Sequence, residues 1–482
     1  MSKVLASLLC GLSLWALAPA NAYSQHYYVS PLGNDSNPGT QLRPWQTIEK
    51  VNAADFGPGD GVHFQAGQRF AGAIELDRSD SGTSGRKFTV TSYGKGRATI
   101  DAGNGSGLKA NGCDHLVVKD LIFVGSGRKA GNTEDGVLVV DSQGTNIDGI
   151  EISGFRGSGL RLDGARDARI TNVYAHENGS AGITVGHDKL STHLRIDHCV
   201  ADNNPGDPAN LTNHSGNGIV VGNAGDVVIE YCEASNNGWD MPRKGNGPVG
   251  IWAWNADRVA IQFCISHGNK SPGDDGGGFD LDGGVTNSVL QYNLSYNNDG
   301  PGYFLCQYPG APVFKNNVIR YNISQNDGAR IFQVGGKVTN AKIYNNVIFV
   351  AEGKGDPLMI WHSKDGLWPD NIHYHNNIFY NLGKGGFNLG ESTSIAFDYN
   401  VFYGHHDPTE PADPHKLTQD PKLVKPGTGS VGRDTVDGYR LLADSPCIDS
   451  GMTVANDGER DYWGNPVPSG RGTDRGANER GK

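Results

Sequence analysis

The sequence predicts an all-β protein folded as one right-handed parallel β-helix, and two repeated patterns together with the composition predict it. One pattern is an aliphatic residue followed three positions later by Cys or Asn, and the other is Gly followed by apolar-x-apolar. Of the 482 residues, 70 are Gly and only 37% are hydrophobic. Because short apolar triplets recur between clusters of Gly and Asn, this composition indicates a solenoid of short strands rather than a disordered chain.

The first pattern predicts one inward-facing position that stacks on successive turns of the solenoid. A buried free thiol behaves as a small apolar residue, and side-chain amides on adjacent rungs can hydrogen-bond along the stack. We therefore expect unpaired cysteines and asparagine ladders inside the helix, and no Cys/His cluster suggests zinc. The copies are Ile196-Asp-His-Cys199, Ile229-Glu-Tyr-Cys232, Ile261-Gln-Phe-Cys264, Leu290-Gln-Tyr-Asn293, Ile319-Arg-Tyr-Asn322 and Ile343-Tyr-Asn-Asn346.

The second pattern predicts a row of parallel strands with one face turned to solvent. Its copies lie about 23 to 36 residues apart, which is within the range of solenoid repeats. Alternate residues of each strand point outward, so the x position of every copy should contribute to one exposed column. The copies begin at Gly136, Gly159, Gly182, Gly218, Gly250, Gly278 and Gly302.

The ends of the chain predict export and capping. Lys3, the apolar run of residues 4–17 and the small residues up to Ala22 have the layout of a cleavable signal peptide, so we predict residues 1–22 as a signal peptide and a secreted or periplasmic protein. Residues 23–482 then form a single β-helix domain. We divide it into an N-terminal cap at 23–70, rungs at 71–400 and a C-terminal closing region at 401–482, because a solenoid must cover its terminal layers.

Charge and hydropathy limit the possible partners. The net charge is −11 and no basic stripe is visible, which excludes nucleic acid as the expected partner. No segment after the signal peptide is apolar enough for membrane insertion. We expect a monomer whose partner is a polysaccharide substrate.

The exposed column contains the residue types of a sugar-cleaving groove. Rungs stack about 4.8 Å apart, so Trp252, Trp254, Asp280, Asp282 and Phe304 should lie close together. Aromatic rings pack on pyranose faces, and arginine and histidine side chains can bind sugar oxygens. The predicted substrate-binding residues are Trp252, Trp254, Phe304, Arg161, Trp361 and His362.

Asp280 and Asp282 are the predicted catalytic pair for hydrolysis. They are two residues apart on one strand, which places their Cα atoms about 6.5–7 Å apart. This distance suits a general acid with a base or nucleophile, and crowding would raise one pKa toward neutrality. Such a hydrolase needs no cofactor. The same pair could instead be solvated surface carboxylates or calcium ligands.

Several motifs resemble those of known carbohydrate-active β-helix proteins. The segments 28–39 and 44–50 are similar to their N-terminal region, and 444–451 and 472–479 are similar to their closing motif. The run Asn269-Lys-Ser-Pro-Gly-Asp-Asp-Gly-Gly-Gly-Phe-Asp-Leu-Asp282 resembles the calcium rung of the pectate lyases of polysaccharide lyase family nine. The resemblance implies that Asp274, Asp275 and Asp280 hold calcium for β-elimination on a uronate-containing glycan.

Departures from this motif keep other interpretations open. Two extra Gly follow the Asp pair, and Phe304 occupies the position where that family has its lysine base. Arg330, one rung further on, is one candidate for a catalytic base, and Lys244, in the loop that begins at Trp239, is another. The chain also resembles polygalacturonase-like hydrolases through its Asp pair, although it lacks their Gly-His-Gly element. We therefore weigh a hydrolase first, a calcium-dependent lyase second and a non-catalytic glycan-binding β-helix third.

Overall fold

A computed structural model describes residues 24–481, and most of the regular structure in this range is β-strand. One α-helix, α1, spans Ile48–Asn52, and 3₁₀ helices span Arg78–Asp80 and Arg433–Tyr439. The predicted signal peptide lies outside the described residues. Between residues 24 and 481 there is no helix with the length and apolar character needed to cross a bilayer.

The strands are short and follow one another in a regular order. The first thirteen are β1 His26–Val29, β2 Gly61–Gln65, β3 Arg69–Ala71, β4 Ile74–Leu76, β5 Phe88–Tyr93, β6 Ala98–Gly103, β7 Leu108–Asn111, β8 Leu116–Lys119, β9 Leu121–Gly125, β10 Val137–Val140, β11 Asn146–Asp148, β12 Glu151–Ser153 and β13 Ser158–Asp163. The next twelve are β14 Arg169–Thr171, β15 Tyr174–His176, β16 Ala181–Val185, β17 Ser191–Asp197, β18 Val200–Asp202, β19 Asn217–Glu230, β20 Glu233–Ser235, β21 Val249–Gln262, β22 Ile265–His267, β23 Gly277–Leu281, β24 Val289–Gln291 and β25 Leu294–Tyr296. The last twelve are β26 Tyr303–Gln307, β27 Val318–Arg320, β28 Ile323–Gln325, β29 Arg330–Gly336, β30 Thr339–Tyr344, β31 Val347–Val350, β32 Leu358–Ser363, β33 Asp370–His375, β34 Ile378–Asn381, β35 Phe387–Asn388, β36 Ala396–Asp398 and β37 Val401–Gly404.

These strands pair in parallel in three rows along the solenoid, which confirms the predicted parallel β-helix. Two rows, here called the groove sheet and the side sheet, are joined into one 24-stranded sheet, and the third row, the back sheet, has 13 strands. Each rung passes through the groove sheet, then the side sheet, then the back sheet. The groove sheet contains β4, β7, β10, β13, β16, β19, β21, β23, β26, β29, β32 and β35. The long strands β19 and β21 continue without a break into the side sheet.

The Gly-apolar-x-apolar pattern produces the core as predicted. In β23 the inward residues are Phe279 and Leu281, and both are fully buried. Gly278 precedes them because a Cβ atom there would lie 3.0 Å from the carbonyl oxygen of Gly302 on the next rung. The repeat therefore needs Gly where adjacent turns approach each other, and apolar side chains where the strand faces the interior.

Stacked thiols and amides fill the interior corners, as the first pattern predicts. Cys199, Cys232 and Cys264 are buried and unpaired, and the Cys264 amide donates to the side chain of Asn293 at 2.9 Å. From there each amide side chain donates to the next rung. One ladder runs through Asn293, Asn322, Asn346, Asn377, Asn400 and Asp413, and a second through Asn178, Asn204, Asn237, Asn269, Asn298 and Asp327. Each ladder ends in Asp because an ionised carboxylate only accepts hydrogen bonds.

Both ends of the solenoid are covered, and the C-terminal region does more than the predicted cap. At the N-terminus α1 buries Ile48 and Val51 against the first rungs. Beyond the last rung, residues 423–477 run back along the outer surface of the back sheet, where Val436 and Tyr439 pack in one cluster with Leu294. The region predicted to close one end therefore also covers one side of the later rungs.

Candidate active site

A groove follows the outer surface of the groove sheet, and its central column matches the predicted one. Register pairing aligns one outward residue from each of nine consecutive rungs. Trp252 is paired with Asp280, Asp280 with Phe304, and Phe304 with Gln333. The whole column is Arg161, Thr184, Val220, Trp252, Asp280, Phe304, Gln333, Trp361 and Asn388. A cavity of about 930 Å³ lies over it.

Long loops between rungs build one wall of this groove. Arg128 donates to the carbonyl oxygen of Gly206 at 2.9 Å and forms an ion pair with Asp240. Asn246 donates to Asn213 at 3.3 Å. These contacts join three loops, residues 126–135, 204–217 and 239–248, which are longer than the connection between two strands requires. Together they form one continuous wall.

Asp280 lies at the centre of the groove and is the most strongly perturbed carboxyl there. Its residue is 3% exposed, and its Oδ1 atom has no hydrogen-bond partner among the described residues. Burial raises its pKa well above the usual range, and the neighbouring Asp282 and Asp275 raise it further. Burial and the neighbouring carboxylates therefore both favour the protonated form of Asp280.

Asp282 and Asp275 complete a cluster of three carboxyls. Burial raises the pKa of Asp282 to about 6, although it accepts a hydrogen bond from the Gly283 amide at 2.7 Å. Burial likewise raises the pKa of Asp275 to about 6, and the Gly247 amide in the wall donates to it at 2.8 Å. The cluster thus offers a proton donor beside groups that lose their protons near pH 6.

Arg330 lies in the groove as a paired cation. Its guanidinium is 4.5 Å above the ring of Trp361 and 3.6 Å from a carboxylate oxygen of Asp274. Both contacts stabilise the charged form of the side chain. Arg330 is therefore placed to bind substrate, and this arrangement argues against the predicted role as a base.

Comparison with known proteins identifies the family. Residues 27–340, which are 314 of the 482 residues, match the family described as the Pel9A-like right-handed β-helix region. The chain belongs to the Pel9A-like β-helix family. No curated protein matches its sequence.

Solved structures with the same architecture include both hydrolases and lyases. A GH136 lacto-N-biosidase from Eubacterium ramulus has a TM-score of 0.57 at 16% identity, covering 78% of this chain and 67% of its own. XylC in complex with xylose has a TM-score of 0.55 at 12% identity over 95% of this chain and 99% of its own. The PL6 alginate lyase AlyGC has a TM-score of 0.54 at 15% identity over 87% and 57%. This Pel9A-like chain thus has a fold shared by carbohydrate-active hydrolases and lyases, and the fold does not distinguish the two reactions.

The predicted calcium ligands do not fit a metal site in this Pel9A-like chain. Asp274 is largely exposed and pairs with Arg330, whereas Asp275 accepts from a backbone amide and Asp280 is buried. Within residues 24–481 there is no group of three or more His, Cys, Asp or Glu side chains with metal-binding geometry. Calcium ligands must converge on one point at about 2.3–2.6 Å, and these three carboxylates do not.

The aromatic residues divide between the bottom and the rim of the groove. Trp252 is only 5% exposed, packs with Val220 and donates its indole N–H to Asn217 at 3.1 Å, so it forms part of the groove bottom. Phe304 is also nearly buried. Trp254 and Trp361 are partly exposed and line the cavity, so their ring faces are more accessible to a sugar.

The structure contradicts the prediction for His362 and qualifies the one for Arg161. His362 points into the core, where it is 1% exposed and bonded to Ser392 and Tyr374 at 2.9 and 2.8 Å. Successive strand residues face opposite sides, so His362 cannot share the groove with Trp361. Arg161 lines the groove, but it is held by the carboxylates of Asp163 and Asp188.

Of two further groove residues, the sequence left one as an alternative and missed the other. Gln333 lies between Phe304 and Trp361 in the column, and its buried Oε1 has no partner among residues 24–481. Residues 331 and 332 are both buried, which interrupts strict alternation, and the sequence therefore left Phe332 and Gln333 as alternatives for this position. His214 lines the groove from the 204–217 wall, and no repeat marks a residue in an insertion.

Proposed function

We propose that the chain hydrolyses glycosidic bonds in the groove, with Asp280 as the general acid and Asp282 as the general base. The observation that carries this proposal is the cluster of buried carboxyls with raised pKa values beside an unpartnered Asp280 oxygen. A hydrolase needs one carboxyl that keeps its proton and one that has lost it, and this cluster supplies both.

In the proposed reaction, Asp280 donates its proton to the glycosidic oxygen as the bond to the anomeric carbon breaks. Asp282 accepts a proton from a water molecule whose oxygen attacks that carbon. The leaving sugar keeps the proton from Asp280, and the other sugar gains a hydroxyl from water. The expected carboxyl spacing of two strand residues leaves room for this water, which favours inversion at the anomeric centre.

Product masses test hydrolysis directly. The purified protein is incubated with xylan, cellulose oligosaccharides, polygalacturonate and alginate, and the products are weighed by mass spectrometry. Hydrolysis gives fragments whose masses sum to the substrate plus one water for each broken bond. Fragments that sum to the substrate alone, with an unsaturated sugar at one end, would show elimination and refute the proposal.

A further inference from the structure

The charges in the groove point to the substrate class. Eight Asp and Glu residues line the groove cavity, whereas Arg161 and Arg330 are its two Arg or Lys residues in the described part of the chain. We infer that the groove binds an uncharged glycan and excludes polyuronates. This inference rests on the proposed use of the groove as the substrate site.

The positive charge of Arg161 is already balanced by neighbouring carboxylates. Its guanidinium lies 3.0 Å from Asp163 and 2.7 Å from Asp188, with Asp135 at 3.8 Å. Asp163 is buried and accepts the backbone amides of His187 and Lys189, so it cannot turn away. The three carboxylates more than balance the single positive charge.

The guanidinium of Arg330 likewise already contacts two neighbouring side chains. Trp361 covers one face of its guanidinium, and Asp274 pairs with one edge. Lys364 lies in an adjoining cavity, where it is exposed to solvent. A uronate carboxylate bound at the centre would therefore compete with Asp274 for Arg330 and would also face Asp275 and Asp282. The hydroxyls of a neutral sugar carry no such penalty.

Binding of oligosaccharides of equal length tests the inference. Isothermal titration at low salt compares cellohexaose and xylohexaose with hexagalacturonate. We expect at least one neutral probe to bind about tenfold or more tightly than hexagalacturonate. Tighter binding of hexagalacturonate, with or without added calcium, would overturn the inference, and binding of none of the three would remove the groove as a glycan site.

Two variants make this test specific. Asp274→Asn and Asp188→Asn should each strengthen hexagalacturonate binding severalfold, because each releases an arginine from a carboxylate. Asp434→Asn, at an exposed position in the C-terminal 3₁₀ helix, is the control and should change nothing. If a neutral probe binds but is not cleaved, the proposed hydrolysis fails while the substrate class stands.

A separate observation concerns His214, whose tautomer is fixed by its neighbours. The indole N–H of Trp252 and the amide of Val249 both donate to one side-chain atom of Asn217, at 3.1 and 3.3 Å, so that atom is Oδ1. The other atom is then Nδ2, which donates to the Ser180 carbonyl oxygen at 3.2 Å. It also lies 3.1 Å from Nδ1 of His214, which must accept.

We infer that His214 presents a neutral Nε2–H donor to an oxygen of the bound glycan, beside Asp280. Its ring packs edge-on against Trp252 at 5.1 Å, and Trp252 is the register neighbour of Asp280. No hydrogen-bond partner of Nε2 is found among the described residues, and the side chain lines the groove. Burial lowers the pKa of His214 to about 4, with repulsion from Arg243 and His187 adding to it, so the ring stays neutral while Asp282 titrates.

Histidine NMR tests this assignment without relying on catalysis. In protein labelled with ¹⁵N-histidine, the signal that is lost in His214→Ala should show the Nε2–H tautomer. Asn217→Asp should convert it to Nδ1–H or to the charged ring. Cellohexaose or xylohexaose should shift the same signal, and His214→Ala should weaken their binding about two- to tenfold, while the exposed His193→Ala should not. An Nδ1–H tautomer in the native chain, or no shift with either glycan, would overturn the inference.

Discussion

The interior ladders and the groove are built from the same rungs but treat buried polar groups in opposite ways. In the ladders every amide donates to the next rung, and the terminal Asp327 accepts from Asn298 and Ser324. In the groove, Asp280 Oδ1, Gln333 Oε1 and Arg330 Nε are buried without partners among the described residues. Satisfied polar groups stabilise a fold, whereas unsatisfied ones cost stability and remain available to a ligand.

Asp327 in a ladder and Asp280 in the groove can be compared directly, because burial raises the pKa of both carboxyls. Asp327 is raised only to about 6, since hydrogen bonds from Ser324 and Asn298 stabilise its charged form. Asp280 has no such bonds, and nearby carboxylates raise it further. The difference between these two buried carboxyls is therefore made by their hydrogen bonds and neighbouring charges, not by their depth.

The largest expected effect follows from exchanging these two carboxyls for amides. Asp280→Asn should lower the rate of cleavage by about 10²- to 10⁴-fold, because the amide cannot donate the proton. The free energy of unfolding should change by less than about 1 kcal/mol, because the amide keeps the size of the protonated carboxyl and leaves a buried polar group in the same place. Initial rates and thermal unfolding measure both effects.

Asp327→Asn is the matched control for that prediction. An amide oxygen can still accept from Asn298, so activity should stay within about twofold of the native chain. Loss of activity in both variants, or full activity of Asp280→Asn, would remove the distinction between the ladder and the groove.

The second effect comes from breaking a ladder. Asn269 accepts from the backbone and side chain of Asn237 and donates to Asn298. Asn269→Ala leaves two buried donors without partners and should cost about 2–4 kcal/mol of unfolding free energy. The exposed Asn111 at the end of β7 should cost less than about 0.5 kcal/mol when changed to Ala. Equal losses in chemical denaturation would contradict the role of burial.

The third effect is on pH dependence. Asp282 must lose its proton to act as a base, so the rate should rise through pH about 6, and it should fall at higher pH as Asp280 ionises. Asp282→Asn should abolish the rising limb together with most of the activity. A rate that is flat between pH 5 and 7 would contradict the assignment of Asp282.

Stability should respond to pH in the opposite direction to this rising limb. The folded-state pKa of Asp282 is about 6 against 3.8 for an unperturbed Asp, so the folded chain binds more protons. The stabilising contribution of the protonated form is complete below pH about 4 and is lost as the pH rises through about 6. Thermal unfolding of Asp282→Asn should show a smaller decrease over this range than the native chain.

Much of the fold and part of the site follow from the sequence. The stacked Cys232 and Cys264 and the register of Trp252 with Asp280 were predicted, because each rung repeats the same local pattern. Repetition sets register, and register sets which side chains become neighbours.

The residues that were missed or misplaced depend on what does not repeat. Next to Gln333, two consecutive buried residues, 331 and 332, interrupt the strict alternation. His214 belongs to an insertion whose path no periodicity describes. The repeated pattern of the rungs also does not predict that the C-terminal region packs over Leu294. His362 was misplaced for a different reason. Strand alternation already assigns it to the core beside the outward Trp361, and the prediction did not apply that alternation to His362.

The smallest expected effect separates two buried glutamines. Gln325 is fully bonded, since its side chain donates to the Gly429 carbonyl oxygen and accepts from the Gly429 amide and the Tyr439 hydroxyl. Gln333 has an unpartnered Oε1 in the groove. Gln333→Leu should weaken glycan binding about two- to tenfold and leave unfolding unchanged or slightly improved, because it removes a bond made only to the ligand.

Gln325→Leu is the counterpart and should do the reverse. It leaves the hydroxyl proton of Tyr439 and two Gly429 backbone groups without partners, so it should destabilise the docked C-terminal region by about 1–3 kcal/mol while glycan affinity is retained. Titration calorimetry gives the glycan affinity of each variant, and denaturation gives its unfolding free energy. We expect Gln333→Leu to lose affinity and Gln325→Leu to lose stability. If Gln333→Leu lost as much stability as Gln325→Leu, the role of Gln333 would be structural. The ligand-binding part of the column would then not extend beyond Phe304 to Gln333.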